Sequence, residues 1–178
     1  EIAAQHVFHT KKELEKAGIP CPIVTGAGSG TFMFEVESGA WDEVQCGSYA
    51  FMDVDYARNQ WAAPLPRFEH ALFVYATVMS RPSDQVAIVD AGLKASSVDS
   101  GMPGVWQRPG LAYTHASDEH GWIESKDAGG AAVPALGEKM LLVPGHCDPT
   151  INLHDWYVCV RGGRVEALWP ITARGALA

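Results

Sequence analysis

The hydrophobic pattern of the chain changes at Pro64 and Pro66, and this change constrains the fold more than any other feature. Before it, residues 1–17 carry apolar side chains at helical spacing, which predicts a helix. Gly18 supplies a C-cap for that helix, and Pro20 prevents its continuation. The proline-flanked stretch is therefore the predicted boundary between two kinds of structure.

Two short strands that end in small polar residues follow the predicted helix. Residues 22–25 form an apolar stretch that runs directly into the glycine-rich loop 26–31. Residues 44–52 form a second strand-like run. A helix, a strand and a glycine-rich loop in this order indicate an α/β arrangement.

The pattern after the prolines is that of an all-β domain. Residues 70–80 alternate apolar side chains on both sides of a strand, which predicts that both faces are buried. Further strands are predicted at 85–90, 111–116, 120–124, 139–143, 155–161 and 163–169. Gly162 and Gly163 join the last two strands, which predicts a tight hairpin.

Charge and composition exclude several classes of partner. With 13 Lys+Arg and 21 Asp+Glu the formal net charge is −8, so we expect no nucleic-acid partner. The longest apolar runs, such as residues 71–76, are far shorter than the roughly 18 residues that span a bilayer, so we expect no membrane partner. Four scattered cysteines without a C-x-x-C pair predict reduced thiols and a cytoplasmic protein. No signal peptide is visible, and the helical start at Glu1 predicts that the sequence begins inside a larger protein.

Phosphate binding is one interpretation of the loops after the two strands. The loop 26–31 and the segment 45–49 both supply small residues, hydroxyl groups and backbone amides, which together hold anionic oxygens. If the strands are neighbours and parallel, both loops meet at one face, where Tyr56 can reach the same anion. The alternatives stay open: a plain turn in the first loop, and a bulge glycine with a core tyrosine in the second.

The segment 144–150 holds the densest group of polar side chains in the sequence. In an extended segment residues two apart share a face, so His146 and Asp148 would point the same way, and Cys147 would face the opposite side. An imidazole nitrogen and a carboxylate suit a divalent cation that keeps positions open for water and substrate. The alternative is a turn in which Asp148 caps a backbone amide and His146 is exposed.

Six segments carry a colinear set of motifs along nearly the whole chain. They are VTGAGSGTF (24–32), VQCGSYAFMDVDY (44–56), VDAGLKASSVDSG (89–101), SDEHG (117–121), PGHCDPTINLHDWYV (144–158) and WPITARG (169–175). In order and spacing they resemble the carboxyl-terminal half of the D-threonine aldolase and 3-hydroxy-D-aspartate aldolase family, which is close to the D-serine dehydratases. A colinear set of this kind is more specific than any one motif.

The resemblance implies a fold-type III pyridoxal phosphate enzyme. Its fold would be α/β plus all-β: the last part of an alanine-racemase-like β/α barrel over residues 1–62, then a mainly antiparallel, D-serine dehydratase-like β domain with a metal site over residues 63–178. The lysine that forms the Schiff base would lie before residue 1, so no catalytic residue is expected in this sequence. The parent enzyme is expected to be a homodimer.

The resemblance also assigns roles to residues of the two loops. Ser29, Gly47 and Ser48 would hold the phosphate of pyridoxal 5'-phosphate, and Tyr56 would lie close to the coenzyme. Gln45 takes the place where racemases of this fold carry an arginine against the pyridine nitrogen.

By the same resemblance, His146 and Asp148 would be the metal ligands, with manganese or magnesium expected and zinc as an alternative. The implied reaction is cleavage of D-β-hydroxy-α-amino acids, either D-threonine or 3-hydroxy-D-aspartate, to glycine and an aldehyde or glyoxylate. The H-x-D arrangement favours the aldolases. Two alternatives stay open: a zinc-dependent D-serine dehydratase, because in those relatives a cysteine takes part in binding zinc and Cys147 is present here, and a β-domain fragment without activity.

Overall fold

A computed structural model describes residues 2–61, 67–127 and 130–175. The helices in these residues are α1 (Ile2–Lys16), α2 (Phe32–Ser38), α3 (Val54–Ala57) and α4 (Cys147–Ile151), and a 3-10 turn spans Ser48–Ala50. The strands are β1 (Thr25–Gly26), β2 (Glu43–Val44), β3 (Val74–Ser83), β4 (Val86–Val89), β5 (Gly104–Val105), β6 (Leu111–Ala116), β7 (Gly121–Ser125), β8 (Lys139–Val143), β9 (Trp156–Arg161) and β10 (Arg164–Pro170).

The chain divides into two compact units, which together confirm an α/β portion followed by a mainly antiparallel β portion. The first unit comprises Glu1–Ala50 and Asn59–Phe68, and the second comprises Phe51–Arg58 and Glu69–Ala178. The predicted boundary at Pro64 and Pro66 lies outside the described residues.

In the first unit the predicted helix is confirmed, whereas the observed strands share only Thr25 with the predicted strand 22–25 and only Val44 with the predicted strand 44–52. Helix α1 ends before Gly18, whose φ of 75° is a conformation that glycine adopts without strain. Strands β1 and β2 pair in parallel, with Thr25 opposite Glu43. The predicted continuation of the second strand to residue 52 is wrong, because the amide of Ala50 donates to the carbonyl of Gly47 at 3.2 Å and closes a 3-10 turn.

The second unit is built on a six-stranded sheet with the strand order β5-β8-β3-β4-β7-β6. Each neighbouring pair in this sheet is antiparallel. The predicted strands at 111–116 and 139–143 coincide with β6 and β8. A buried cluster packs against one face of the sheet and includes Ala76, Val89, Ile123 and Leu142, each with no exposed surface.

Strand β3 is buried on one face only, so the prediction of two buried faces is wrong. Val74, Ala76 and Val78 lie in the core, whereas Tyr75 and Met79 on the other face are 69% and 54% exposed. The sheet packs its core against a single side, as antiparallel sheets commonly do. The sequence pattern therefore indicates that both faces of β3 carry apolar side chains, but it does not indicate whether other residues cover both faces.

The predicted hairpin is present as β9 and β10. The two strands pair antiparallel around Gly162 and Gly163, whose φ angles of 55° and 74° fit the tight turn of a two-residue hairpin loop. One face of the hairpin carries exposed apolar side chains, including Trp156, Val158 and Leu168.

Two further findings concern the cysteines and the helices. All four cysteines lie in the described residues, and no disulfide joins any two of them. Within the same described ranges, none of the helices has the length and apolar character needed to cross a bilayer.

Tyr113 provides a test of the packing of the second unit. Its side chain is 4% exposed, and its hydroxyl donates to the carbonyl of Ala91 at 2.7 Å. Burial raises the pKa of Tyr113 from 10.0 to about 12. Because the folded protein disfavours the phenolate, the stability contributed by Tyr113 is complete below pH 10 and is lost as the pH rises through about 12.

We expect Tyr113→Phe to lower the free energy of unfolding at pH 7 by about 1 kcal/mol, because the hydrogen bond to Ala91 is lost. The difference from the wild type should shrink and then change sign between pH 10 and about 12, because only the wild type loses stability when Tyr113 ionises. Urea unfolding across this range measures both effects. Tyr75→Phe, at an exposed position of the same sheet, is the control and should behave as the wild type. An equal alkaline loss in Tyr113→Phe and wild type would contradict this assignment.

Candidate functional site

The chain changes from strand to helix at His146. Strand β8 ends at Val143, and His146 still has extended backbone angles, with φ −137° and ψ 137°, as the N-cap of α4. The prediction of an extended segment to residue 150 is therefore wrong after His146. Helix α4 can begin there because Pro149 falls in its first turn, where a helix needs no amide donor from that residue.

His146 and Asp148 nevertheless lie side by side, as the sequence predicts. The Nε2 atom of His146 is 3.9 Å from an Oδ atom of Asp148. This distance is too long for a hydrogen bond but brings both atoms near the roughly 3 Å separation of two neighbouring ligands on one cation. The side chain of Asp148 is 74% exposed and that of His146 is 21% exposed. The pair is therefore open to water on the side of the carboxylate.

A third residue, Asp53, binds the other side of the imidazole. Its carboxylate oxygen Oδ2 lies 2.8 Å from Nδ1 of His146 and accepts from the amide of Cys147, also at 2.8 Å. Its Oδ1 accepts from the amide of Tyr56 at 2.8 Å and so caps α3. Asp53 has no exposed surface. Asp53 is not among the site residues predicted from the sequence.

The local sequence carried only part of the signal for Asp53. An aspartate directly before a short helix is a common N-cap, and Asp53 occupies that position before Val54. Its bond to His146 joins residues 93 positions apart, which no local pattern reports.

Electrostatics couples these side chains. Burial would raise the pKa of Asp53, but hydrogen bonds from the Tyr56 amide, His146 and Cys147 outweigh burial and hold that pKa below 3.8. Burial would lower the pKa of His146, but the bond and charge of Asp53, with the charges of Asp148 and Asp99, raise it above 6.5.

Cys147 does not face away from the pair, contrary to the prediction for an extended segment. Its side chain is buried, and its Sγ donates to Oδ1 of Asp148 at 3.2 Å. Donor atoms of Asp53, His146 and Cys147 all lie within 4.8 Å of one another. The helical turn that starts at Cys147 is the reason, because it rotates the thiol back toward its neighbours. We call His146, Cys147, Asp148 and Asp53 the acid–histidine cluster.

Tyr56 lies beside this cluster. Its ring is 6.1 Å from the imidazole of His146, centroid to centroid, at an interplanar angle of 34°. The hydrogen bond from its amide to Asp53 fixes the start of α3 and so fixes the backbone from which the ring projects.

The first unit brings together the two loops in which phosphate binding is predicted. Because β1 and β2 are parallel neighbours, the loops that follow them are adjacent. Ser29 is fully buried, and its Oγ accepts from the amide of Tyr49 at 2.9 Å, which ties one loop to the other. Ser48 lies in the 3-10 turn and is 7% exposed. Gln45 is exposed, and its backbone amide donates to the carbonyl of Gly26 at 2.8 Å.

Gly47 is the position in these loops that best fits an external anion. A Cβ atom built on Gly47 has no described atom within 4 Å, and the residue has no positive φ. Neither crowding nor backbone conformation among the described residues thus requires glycine at this position. A methyl group there would fill open space where a ligand can approach the backbone.

Comparisons with known sequences agree with the motifs. A family model described as a putative serine dehydratase domain matches residues 71–160. The chain is 51% identical over 179 residues to 3-hydroxy-D-aspartate aldolase from Paracoccus denitrificans (strain Pd 1222), over 98% of this chain and 45% of the relative. It is 50% identical over 162 residues to D-threonine aldolase from Arthrobacter sp, over 91% of this chain and 42% of the relative.

Solved structures extend the similarity to the fold. D-threonine aldolase from Filomicrobium marinum matches with a TM-score of 0.92 at 50% identity, over 99% of this chain and 48% of that chain. An alanine-racemase-like protein from Idiomarina loihiensis matches with a TM-score of 0.67 at 26% identity, over 83% of this chain and 43% of that chain. A cysteine-to-alanine mutant of D-threo-3-hydroxyaspartate dehydratase in the metal-free form matches with a TM-score of 0.70 at 29% identity, over 89% of this chain and 46% of that chain.

The chain spans less than half the length of the curated relatives that it matches here. The identity over this span is high, and an alignment over 98% of the chain extends across the loops of the first unit and the acid–histidine cluster. The chain therefore belongs to the family of D-threonine aldolase and 3-hydroxy-D-aspartate aldolase.

Proposed function

We propose that the protein acts in the metal- and pyridoxal-phosphate-dependent cleavage of D-β-hydroxy-α-amino acids. The products would be glycine and an aldehyde, or glyoxylate where the substrate is 3-hydroxy-D-aspartate. The observation that carries this proposal is the placement of Nε2 of His146 opposite the exposed carboxylate of Asp148. The names of the relatives, both aldolases for such substrates, support it.

The donor atoms of the acid–histidine cluster fit a divalent cation. An imidazole nitrogen and a carboxylate oxygen suit manganese or magnesium-like ions, and two protein ligands leave positions open for water and substrate. When bound, the ion polarises a coordinated hydroxyl group and lowers its pKa. His146 and Asp148 would hold it, and the 74% exposure of Asp148 leaves room for a substrate on that side.

The loops of the first unit fit the phosphate of the coenzyme. Ser29, Gly47 and Ser48 would hold the phosphate. The open space beside Gly47 gives access to the backbone, and the bond between Ser29 and the Tyr49 amide ties the two loops together. When bound, pyridoxal phosphate supplies an electron sink for the bond that breaks. We propose that Gln45 lies near the pyridine nitrogen and that Tyr56 lies near the coenzyme, as the resemblance implies.

A zinc-dependent dehydratase is the second candidate. The buried thiol of Cys147 lies within the acid–histidine cluster, and thiolate ligands favour zinc. The dehydratase relative is also known as a metal-free cysteine mutant. A dehydratase acting on D-serine would release pyruvate and ammonia in place of glycine.

We also propose that the protein works in the cytoplasm as a homodimer. The cytoplasmic location is supported by the four cysteines, which form no disulfide in the described residues, as in a reducing compartment. The homodimer is proposed from the resemblance to the family.

We expect His146→Ala to weaken metal binding strongly and to abolish metal-dependent cleavage in the complete protein. Removal of a ligand should weaken Mn²⁺ binding by more than about 100-fold, since loss of a supporting residue alone costs 10–100-fold. Titration with Mn²⁺ followed by electron paramagnetic resonance measures the affinity, and glycine release from D-threonine and 3-hydroxy-D-aspartate measures cleavage.

His120→Ala is the matched control, because His120 is an exposed histidine beside a carboxylate in another loop. It should retain both binding and cleavage. Unchanged turnover in His146→Ala would refute the metal assignment. Pyruvate and ammonia from D-serine without glycine would favour the dehydratase, and no activity of the wild type on any of these substrates would refute both enzyme functions.

Gly47→Ala tests the phosphate site. The added methyl group should weaken coenzyme binding about tenfold or more, because overpacking at a close contact costs about 1–3 kcal/mol. Thermal unfolding of the coenzyme-free variant should match that of the wild type, because the methyl group meets no described atom. Equal coenzyme affinity of variant and wild type, measured by absorbance titration, would remove Gly47 from the site.

A further inference from the structure

Asp53 is the buried acid behind His146, and we propose that it is a positioning residue that selects which imidazole nitrogen faces the cation. Its carboxylate would hold the Nδ1–H of His146, so that the lone pair of Nε2 is presented to the metal on the side of Asp148. This inference rests on the metal-dependent function proposed above, and it gives the two aspartates of the acid–histidine cluster different roles.

The environment of Asp53 excludes it as a ligand, although its carboxylate lies close enough to the other donors. Its Oδ2 is occupied by two partners at 2.8 Å, Nδ1 of His146 and the amide of Cys147. Its Oδ1 accepts from the amide of Tyr56. With no exposed surface, the carboxylate can reach a cation only by giving up these bonds. Asp148, by contrast, is largely exposed.

The bond between Asp53 and His146 also determines the tautomer of the neutral imidazole. An ionised carboxylate only accepts, and the two backbone amides bound to Asp53 are donors that favour ionisation. The proton in the 2.8 Å bond must then belong to Nδ1. A neutral imidazole carries one proton, so Nε2 keeps its lone pair, which is the form that binds a metal.

The backbone holds this arrangement in place. The amides of Val54 and Asp55 donate to the carbonyls of Pro144 and Gly145, each at 3.0 Å. With the bond from the Cys147 amide to the side chain of Asp53, three backbone amides join the start of α3 to residues 144–147, at the start of α4. Asp53 and His146 are therefore fixed relative to each other by more than their own side chains.

Asp53→Asn provides the test, because it keeps the shape of the side chain. If its amide oxygen continues to accept from the amide of Tyr56, the new NH₂ group can only donate to Nδ1 of His146, and the amide of Cys147 loses its acceptor. The imidazole must then carry its proton on Nε2, which blocks that nitrogen as a ligand. The same exchange at a catalytic aspartate is known to leave geometry intact while imposing the wrong tautomer.

Two measurements on the complete, metal-free protein follow, both independent of catalytic activity. Nitrogen-15 NMR of the histidine side chains, at a pH where the ring is neutral, should show the Nδ1–H tautomer of His146 in the wild type and the Nε2–H tautomer in Asp53→Asn. Titration with Mn²⁺ should show affinity reduced by about 10–100-fold in Asp53→Asn.

Asp99→Asn is the matched control for charge. Asp99 is exposed and acts on His146 through its charge, so the substitution removes the same charge without removing the bond to Nδ1. It should leave the tautomer unchanged and alter Mn²⁺ affinity by less than about threefold, the scale of one exposed charge. A loss as large as that of Asp53→Asn would replace positioning by net charge as the explanation.

The remaining outcomes separate this inference from the proposed function. An Nε2–H tautomer in the wild type overturns the inference without any variant, so the test survives if Asp53→Asn fails to fold. Unchanged Mn²⁺ affinity in a folded Asp53→Asn variant that carries the Nε2–H tautomer also overturns it while leaving the metal site intact. A wild-type protein that does not bind Mn²⁺ overturns the proposed function itself.

Discussion

A fully buried carboxylate must be matched by donors, and at Asp53 this requirement links the fold to the site. Removing a charged group from water costs several kcal/mol unless hydrogen bonds replace its hydration. Asp53 receives them from the amides of Tyr56 and Cys147 and from the ring of His146. The start of α3 and the start of α4 therefore cannot shift separately without leaving that charge unpaired. The position of His146 follows from this constraint.

Local pattern was sufficient for much of the β portion. The hairpin at Gly162 and Gly163 and the strands β6 and β8 were predicted at their observed places, because turn chemistry and period-two alternation are local properties. The exposed face of β3 was not predicted. An apolar side chain such as Tyr75 looks the same in sequence whether a second layer covers it or not, since coverage is decided by distant residues.

The same distinction explains what could be predicted of the site. His146 and Asp148 are two residues apart, and their proximity survived even though the backbone between them is helical. Asp53 was missed because its partner lies 93 positions away and its local role is that of an ordinary helix cap. The predicted orientation of Cys147 was wrong for a related reason. Helix α4 starts at Cys147, and that start depends on contacts of Pro144, Gly145 and Cys147 with residues at the start of α3.

The two aspartates of the acid–histidine cluster differ in their environment. Asp53 and Asp148 have the same side chain, yet one is buried with both oxygens occupied and the other is 74% exposed. Only the second can offer an oxygen to a cation without breaking bonds that the fold needs. In the proposed metal site, His146 and Asp148 alone would be too few ligands for a closed structural site, so water or substrate would complete the coordination. Cys147 and Asp148 distinguish the metals proposed above: ligation by the thiol would favour zinc, whereas ligation by the exposed carboxylate alone would favour manganese or magnesium.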